Sequence, residues 1–112
     1  METIEYADFE KVQIVSGTVT KVEAFPEARK PAYQVWVDFG ETVGVKKTSA
    51  QITQHYTNES LVGKQVMGVI NFPPKQIAHV RSEFLLLGFE AGEGGIILAQ
   101  PERLVPNGQR LH

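Results

Sequence analysis

Short stretches in which apolar and polar residues alternate, separated by Gly and Pro, run through most of this chain; they predict strands rather than helices. The clearest is "YQVWVDF". Tyr33, Val35, Val37 and Phe39 fall on one face, Gln34, Trp36 and Asp38 on the other. One face suits a core, while the other carries an indole among polar groups. "VQIVSGTVTKVEAF" is too long and too β-branched for a helix, and its alternation slips. Val12 and Ile14 share a face, yet beyond Ser16-Gly17 the next apolar residue is Val19. A slip beside a glycine predicts a bulge or sharp bend there, so the first strand is expected to be long and strongly curved. "VGVKKTS" forms a third strand, folded back on the second across "GET". "KQVMGVINF", apolar on both faces, is a central fourth. "EFLLLGF" is the fifth, and "GGIILAQ" pairs with it through the turn "EAGEG". Helix is confined to a turn over "FEKV" capped by Asp8 and to two turns in "AQITQHYTNE", between strands three and four. This order predicts an all-β fold, a five-stranded Greek-key barrel of the oligonucleotide/oligosaccharide-binding (OB) type with a short helix between strands three and four. An SH3-like barrel is the nearest rival, but it does not usually carry a helix at that point.

Length and composition bound the possibilities. The 112 residues are expected to form one domain, 1–112, able to bury roughly 65% of the unfolded surface in a single core. Cysteine is absent, which excludes disulfides, thiolate metal sites and a Cys nucleophile. "METIEYADFE" is acidic and lacks the apolar core of a signal peptide, and no apolar run approaches the roughly 20 residues of a membrane span. A cytoplasmic location is the resulting expectation. The net charge of −2 argues against nucleic-acid binding through overall field alone. Its distribution is more informative: Arg29-Lys30, Lys46-Lys47, Lys75 and Arg81 sit in polar connecting stretches, while the acids gather near the N-terminus and at Glu90–Glu93.

The residue patterns required for catalysis are missing. His55, His79 and His112 are far apart, with no second His at ligand spacing. The lone Ser of "IVSGT" is no nucleophile elbow, and "GEGG" leads into a strand rather than a helix, so it is a hairpin turn and not a phosphate cradle. The expectation is a binding protein without enzymatic activity, cofactor or metal. Polar groups cluster instead at strand ends. In "KKTSAQIT", Lys46, Lys47, Ser49 and Gln51 suit combined phosphate and base-edge contacts, although Ser49 reads equally well as a helix N-cap. Pro31 holds Lys30 in extended backbone ahead of strand two. Between strands four and five lies "NFPPKQIAHVRSE". Pro73-Pro74 stiffen the exit from strand four and present Lys75 and Arg81, with Ser82-Glu83 at the mouth of strand five. Phe72 and Trp36 are the exposed aromatics; Trp36 either stacks on a base or packs in a subunit interface, the latter favoured for so small a barrel.

Together, "YADFEKVQIVSGTV", "EARKPAYQVWVDFG", "VKKTSAQIT" and "VGKQVMGVINFPPKQIAHVRSEFLLLG" resemble the tRNA-binding domain family. That family includes the CsaA-type export-related chaperones and the domain appended to methionyl-tRNA synthetases. The resemblance covers nearly the whole chain. It implies an OB barrel with short N- and C-terminal extensions, a homodimer, no enzymatic activity, and binding of tRNA or similarly structured RNA. It also allows binding of unfolded or pre-export polypeptide through apolar residues such as Tyr33, Trp36 and Phe72. By motif, Ser49, Gln51, Asn71, Lys75, Ser82 and Glu83 line the binding face, and Lys30 and Lys46 contact phosphates. Where the family commonly has "DIRVG", this chain reads "QIVSG", so Val15 and Ser16 replace Arg and Val. A positive charge is thereby lost from strand one, with Lys47 and Arg81 as possible compensation. The expected site requires Lys30, Lys46 and Lys75 to converge on one side of the barrel.

Overall fold

The alternation in "YQVWVDF" is realised as strand β2 (Tyr33–Asp38), whose Val35 and Val37, with Phe39 just beyond, are fully buried. In the computed structural model, which describes residues 1–112, β2 pairs antiparallel with β1 (Ile14–Ala24) on one side and β3 (Val45–Ala50) on the other. β1 also pairs with β4 (Gln65–Val69), and β4 with the short β7 (Leu85–Leu86), giving the sheet order β3-β2-β1-β4-β7. This is a nearly closed five-stranded antiparallel barrel, as the sequence predicts. β1 is long because it serves two neighbours: residues 14–18 face β4, and residues 18–24 face β2.

The irregularity in β1 does not lie at the glycine. Val15, Gly17 and Val19 all face inward in unbroken alternation, and the register shifts between Val19 and Lys21, after which Val22 is buried. Gly17 serves close approach instead. A Cβ there would lie 2.5 Å from Val37 Cγ1 and 2.7 Å from the Phe39 ring. Gly68 similarly gives way to Phe84, which meets Phe39 edge-on with ring centroids 4.9 Å apart. Two glycines therefore make room for the aromatic pair at the centre of the core.

The barrel seam between β3 and the chain entering β7 is fastened mainly by side chains. The Glu83 amide donates to the Lys47 carbonyl at 2.8 Å, and the Lys47 amide donates to Glu83 Oε1 at 2.9 Å. The Ser49 amide donates to Ser82 Oγ at 3.0 Å, and the buried Thr48 hydroxyl donates to the Phe84 carbonyl at 2.8 Å. Ser49 is thus a strand residue rather than an N-cap. The helix between strands three and four is also shorter and later than expected: α2 (Asn58–Leu61) is capped by Thr57, and Thr53–His55 form a turn that follows the buried Ile52. The N-terminal helix α1 (Tyr6–Lys11) starts before "FEKV", with the Asp8 carboxylate accepting from the Glu5 amide at 3.0 Å.

"NFPPKQIAHVRSE" is more regular than a plain connection. After the prolines it forms a hairpin, β5 (Lys75–Ile77) and β6 (Val80–Ser82), that turns at Ala78-His79. Ala78 adopts φ 51°, a value that favours glycine. The expected fifth strand "EFLLLGF" is interrupted: β7 belongs to the barrel, and β8 (Gly88–Glu90) pairs with β9 (Ile96–Leu98) as a separate hairpin.

The final residues lie against the edge of β1 that β2 leaves open. Ser16 and Ile14 exchange backbone bonds with Gly108, Gln109 and Leu111. Side chains reinforce the strap. Ser16 Oγ donates to the Pro106 carbonyl and accepts from the Gln109 amide, while buried Gln65 exchanges bonds with Val105 and donates to Asn107 Oδ1. No helix is long and apolar enough to cross a membrane.

Candidate nucleic-acid interface

Strand register decides which of the expected contact residues meet. In the β5–β6 hairpin Lys75 is opposite Ser82 and Ile77 opposite Val80, so these share a face, whereas Gln76 and Arg81 share the other. The first face looks across to β3. Thr48, Ser49, Phe72, Pro73, Lys75, Ile77, Ser82, Phe84 and Leu85 together line a hollow of about 280 Å³. Lys75 is exposed at its rim, and Phe72 is 51% exposed. Because Ser82 Oγ accepts from the Ser49 amide, its own O–H remains available to donate into the hollow. The floor is apolar and the rim polar, with one cation.

The two loops that bound this region are tied to each other. Phe25 and Ala32, from the β1–β2 connection, bury together with Val80 of β6, and the His79 ring stands edge-on to Phe25 at 5.5 Å. The hairpin is therefore positioned by its own apolar anchor as well as by the prolines. Lys30, in the same β1–β2 connection, lines a second, shallower concavity with Pro31, Gln51, Thr53 and Gln54.

The three expected phosphate lysines do not share one hollow. Lys46 pairs with the core residue Val37, so it points to the barrel's inward side at the β2–β3 turn end, and it lines neither concavity. Lys30 sits at the opposite end of that hairpin, near Gln51. Lys47, one residue on, pairs with Trp36 and faces outward. Other expected contacts are engaged within the fold. Asn71 Oδ1 accepts from the Gln13 amide and its Nδ2 donates to the Lys11 carbonyl, so this amide secures the exit of α1. Glu83 holds the barrel seam. Tyr33 is half-buried, packs on the core and donates its hydroxyl to the Tyr56 carbonyl at 2.8 Å.

Arg110, which carried no signal in the sequence, donates to the Glu10 carbonyl and lies 5.7 Å from the Phe9 ring centroid, joining the two termini. Its position opposite Val15 is not legible from spacing, because the partners are separated by almost the entire chain. No three His, Asp or Glu side chains converge as a ligand set; His55 bonds to the Gly94 carbonyl and His79 lies against Phe25.

A family model describing a tRNA-binding domain matches residues 14–110. The chain belongs to the tRNA-binding domain family. Chaperone CsaA of Bacillus anthracis strain Ames is similar at 43% identity, with a TM-score of 0.92 over 99% of this chain and 100% of that one. The CsaA chaperone protein of Picrophilus torridus is 42% identical, with a TM-score of 0.93 over 98% of this chain and 100% of that one. Among enzymes, the methionine–tRNA ligase of Porphyromonas gingivalis is 34% identical over 110 residues. That match covers 98% of this chain, which spans only about 16% of the ligase's length.

Proposed function

We propose that this chain acts without catalysis, as a homodimer in the cytoplasm, binding tRNA through the hollow between β3 and the β5–β6 hairpin. The observation that carries this reading is the rim itself. Lys75, the Ser82 hydroxyl and Ser49 sit around an apolar floor in a member of a tRNA-binding family. An ammonium group meets phosphate, hydroxyls meet sugar or base edges, and the phenyl ring of Phe72 offers a stacking face. Lys30 and Gln51 extend the surface on the other side of the β1–β2 connection. For self-association we propose the β8–β9 hairpin, where Phe89 stands opposite Ile97 and is 71% exposed. A second copy covering that pair doubles the binding surface and raises avidity without new contacts.

The test is retention on immobilised tRNA. Lys75→Glu is expected to weaken binding about tenfold or more, since a charge-assisted contact becomes a repulsion. Phe89→Asp is expected to give a folded monomer in sedimentation and weaker retention. Undiminished retention of Lys75→Glu contradicts the proposed face.

A second reading has its own support. Phe72, Ile77, Phe84 and Leu85 give the hollow an apolar lining, and the similar solved structures carry the description chaperone. In this reading the hollow holds apolar side chains of unfolded or pre-export polypeptides, and RNA binding is incidental. Phe72→Ser then reduces suppression of aggregation of a denatured client; an unchanged Phe72→Ser protein counts against it.

A further inference from the structure

From the outer face of the barrel we infer a base-stacking subsite centred on Trp36, next to the hollow, for a single-stranded segment of RNA. It rests on the RNA reading above and extends it to a surface that reading does not use. Trp36 is central in the row Lys21–Trp36–Lys47, set by the registers of β1 with β2 and β2 with β3. Lys21 Nζ lies 4.6 Å from the indole centroid and Lys47 Nζ 5.5 Å. The indole is half-buried, so the sheet holds it and its ordering cost is already met.

Acidic groups are present and limit the charge. Lys21 is paired with Glu23 at 3.2 Å, Asp38 follows Trp36 on the same face, and Glu83 Oε1 is engaged by the Lys47 amide. None of these ion-pairs the Lys47 ammonium within 4 Å. An ammonium over an indole is a weak contact at an exposed site. It is readily exchanged: a base displaces the ammonium from the ring face, and the ammonium turns to the flanking phosphate. Two residues along β3 from Lys47 is Ser49, on the same outward side and at the edge of the hollow. One RNA strand can thus run from the hollow to Trp36 along β3. Stacking tolerates any base, so this subsite adds affinity without sequence preference.

Trp36 is the only tryptophan, so its fluorescence reports on this site alone. The experiment titrates the full chain with an oligouridylate of roughly eight nucleotides and with bulk tRNA. Emission is followed together with an independent mobility-shift assay. Quenching that saturates with the shifted band is expected, and Trp36→Ala should weaken oligouridylate binding roughly 5- to 100-fold. Trp36→Phe keeps a stacking ring and should retain most of the affinity, which separates stacking from a folding defect. A shifted band with unmoved emission, or a folded Trp36→Ala protein that binds within twofold of the parent, overturns the subsite and leaves the RNA reading standing. Absence of both signals with both RNAs overturns the two together. Emission that changes with protein concentration alone assigns Trp36 to a subunit contact and overturns the subsite.

Discussion

Ser16 shows how one residue is read differently before and after folding. In the sequence it is a departure from the family's "DIRVG"; in the fold its buried hydroxyl accepts from Gln109 and donates to the Pro106 carbonyl. Ser16→Ala leaves both strap groups without their partner and is expected to cost about 1–3 kcal/mol. Limited proteolysis should then release the last residues sooner; an unaltered cleavage rate contradicts a strap held by this hydroxyl. Gly17→Ala drives a methyl into Val37 and Phe39 and is expected to destabilise by about 1–3 kcal/mol in denaturant unfolding. Asn71 adds a structural role to an expected ligand contact: its exposed amide accepts from the Gln13 amide and donates to the Lys11 carbonyl, with one further N–H and one lone pair left over.

At the scale of elements, the β5–β6 hairpin is the component on which the proposed site depends. Val80 anchors it beside Phe25 and Ala32. Val80→Ala removes two buried methyl-sized groups, an expected loss of roughly 2 kcal/mol. Hydrogen exchange across 71–83 should accelerate more than across β1 and β2, and protection that falls uniformly or not at all contradicts a separately anchored hairpin. The barrel strands were legible because each has one strictly buried face: Val35, Val37 and Phe39 are where their alternation puts them. The hairpin and the C-terminal strap were not, for a physical reason. β5 and β6 are three residues each, too short for periodicity to register, and their turn uses Ala78 where the usual signal is glycine. The strap depends on Ser16, Gln65 and Asn107, whose partners lie 40 to 93 residues away. The bulge in β1 was misplaced because Gly17 marks close packing, which leaves the same trace in a sequence as a bend.

For the whole molecule, a net charge of −2 and a single lysine on the hollow's rim set the character of binding. Few phosphates can be neutralised per copy, so the proposed function has each copy bind modestly and relies on the proposed two-fold assembly for the remainder. The same arrangement separates the two functional readings. Attraction to phosphate releases counterions and weakens with salt, while burial of apolar side chains is not screened. The most direct measurement is therefore tRNA affinity at a series of salt concentrations, for the parent chain and for Lys75→Glu. The account predicts that log K falls linearly with log salt, by about 0.7 to 0.9 per phosphate contacted, and that the slope becomes shallower in Lys75→Glu. An affinity that is flat or rises with salt, or a slope identical in the two proteins, would contradict it.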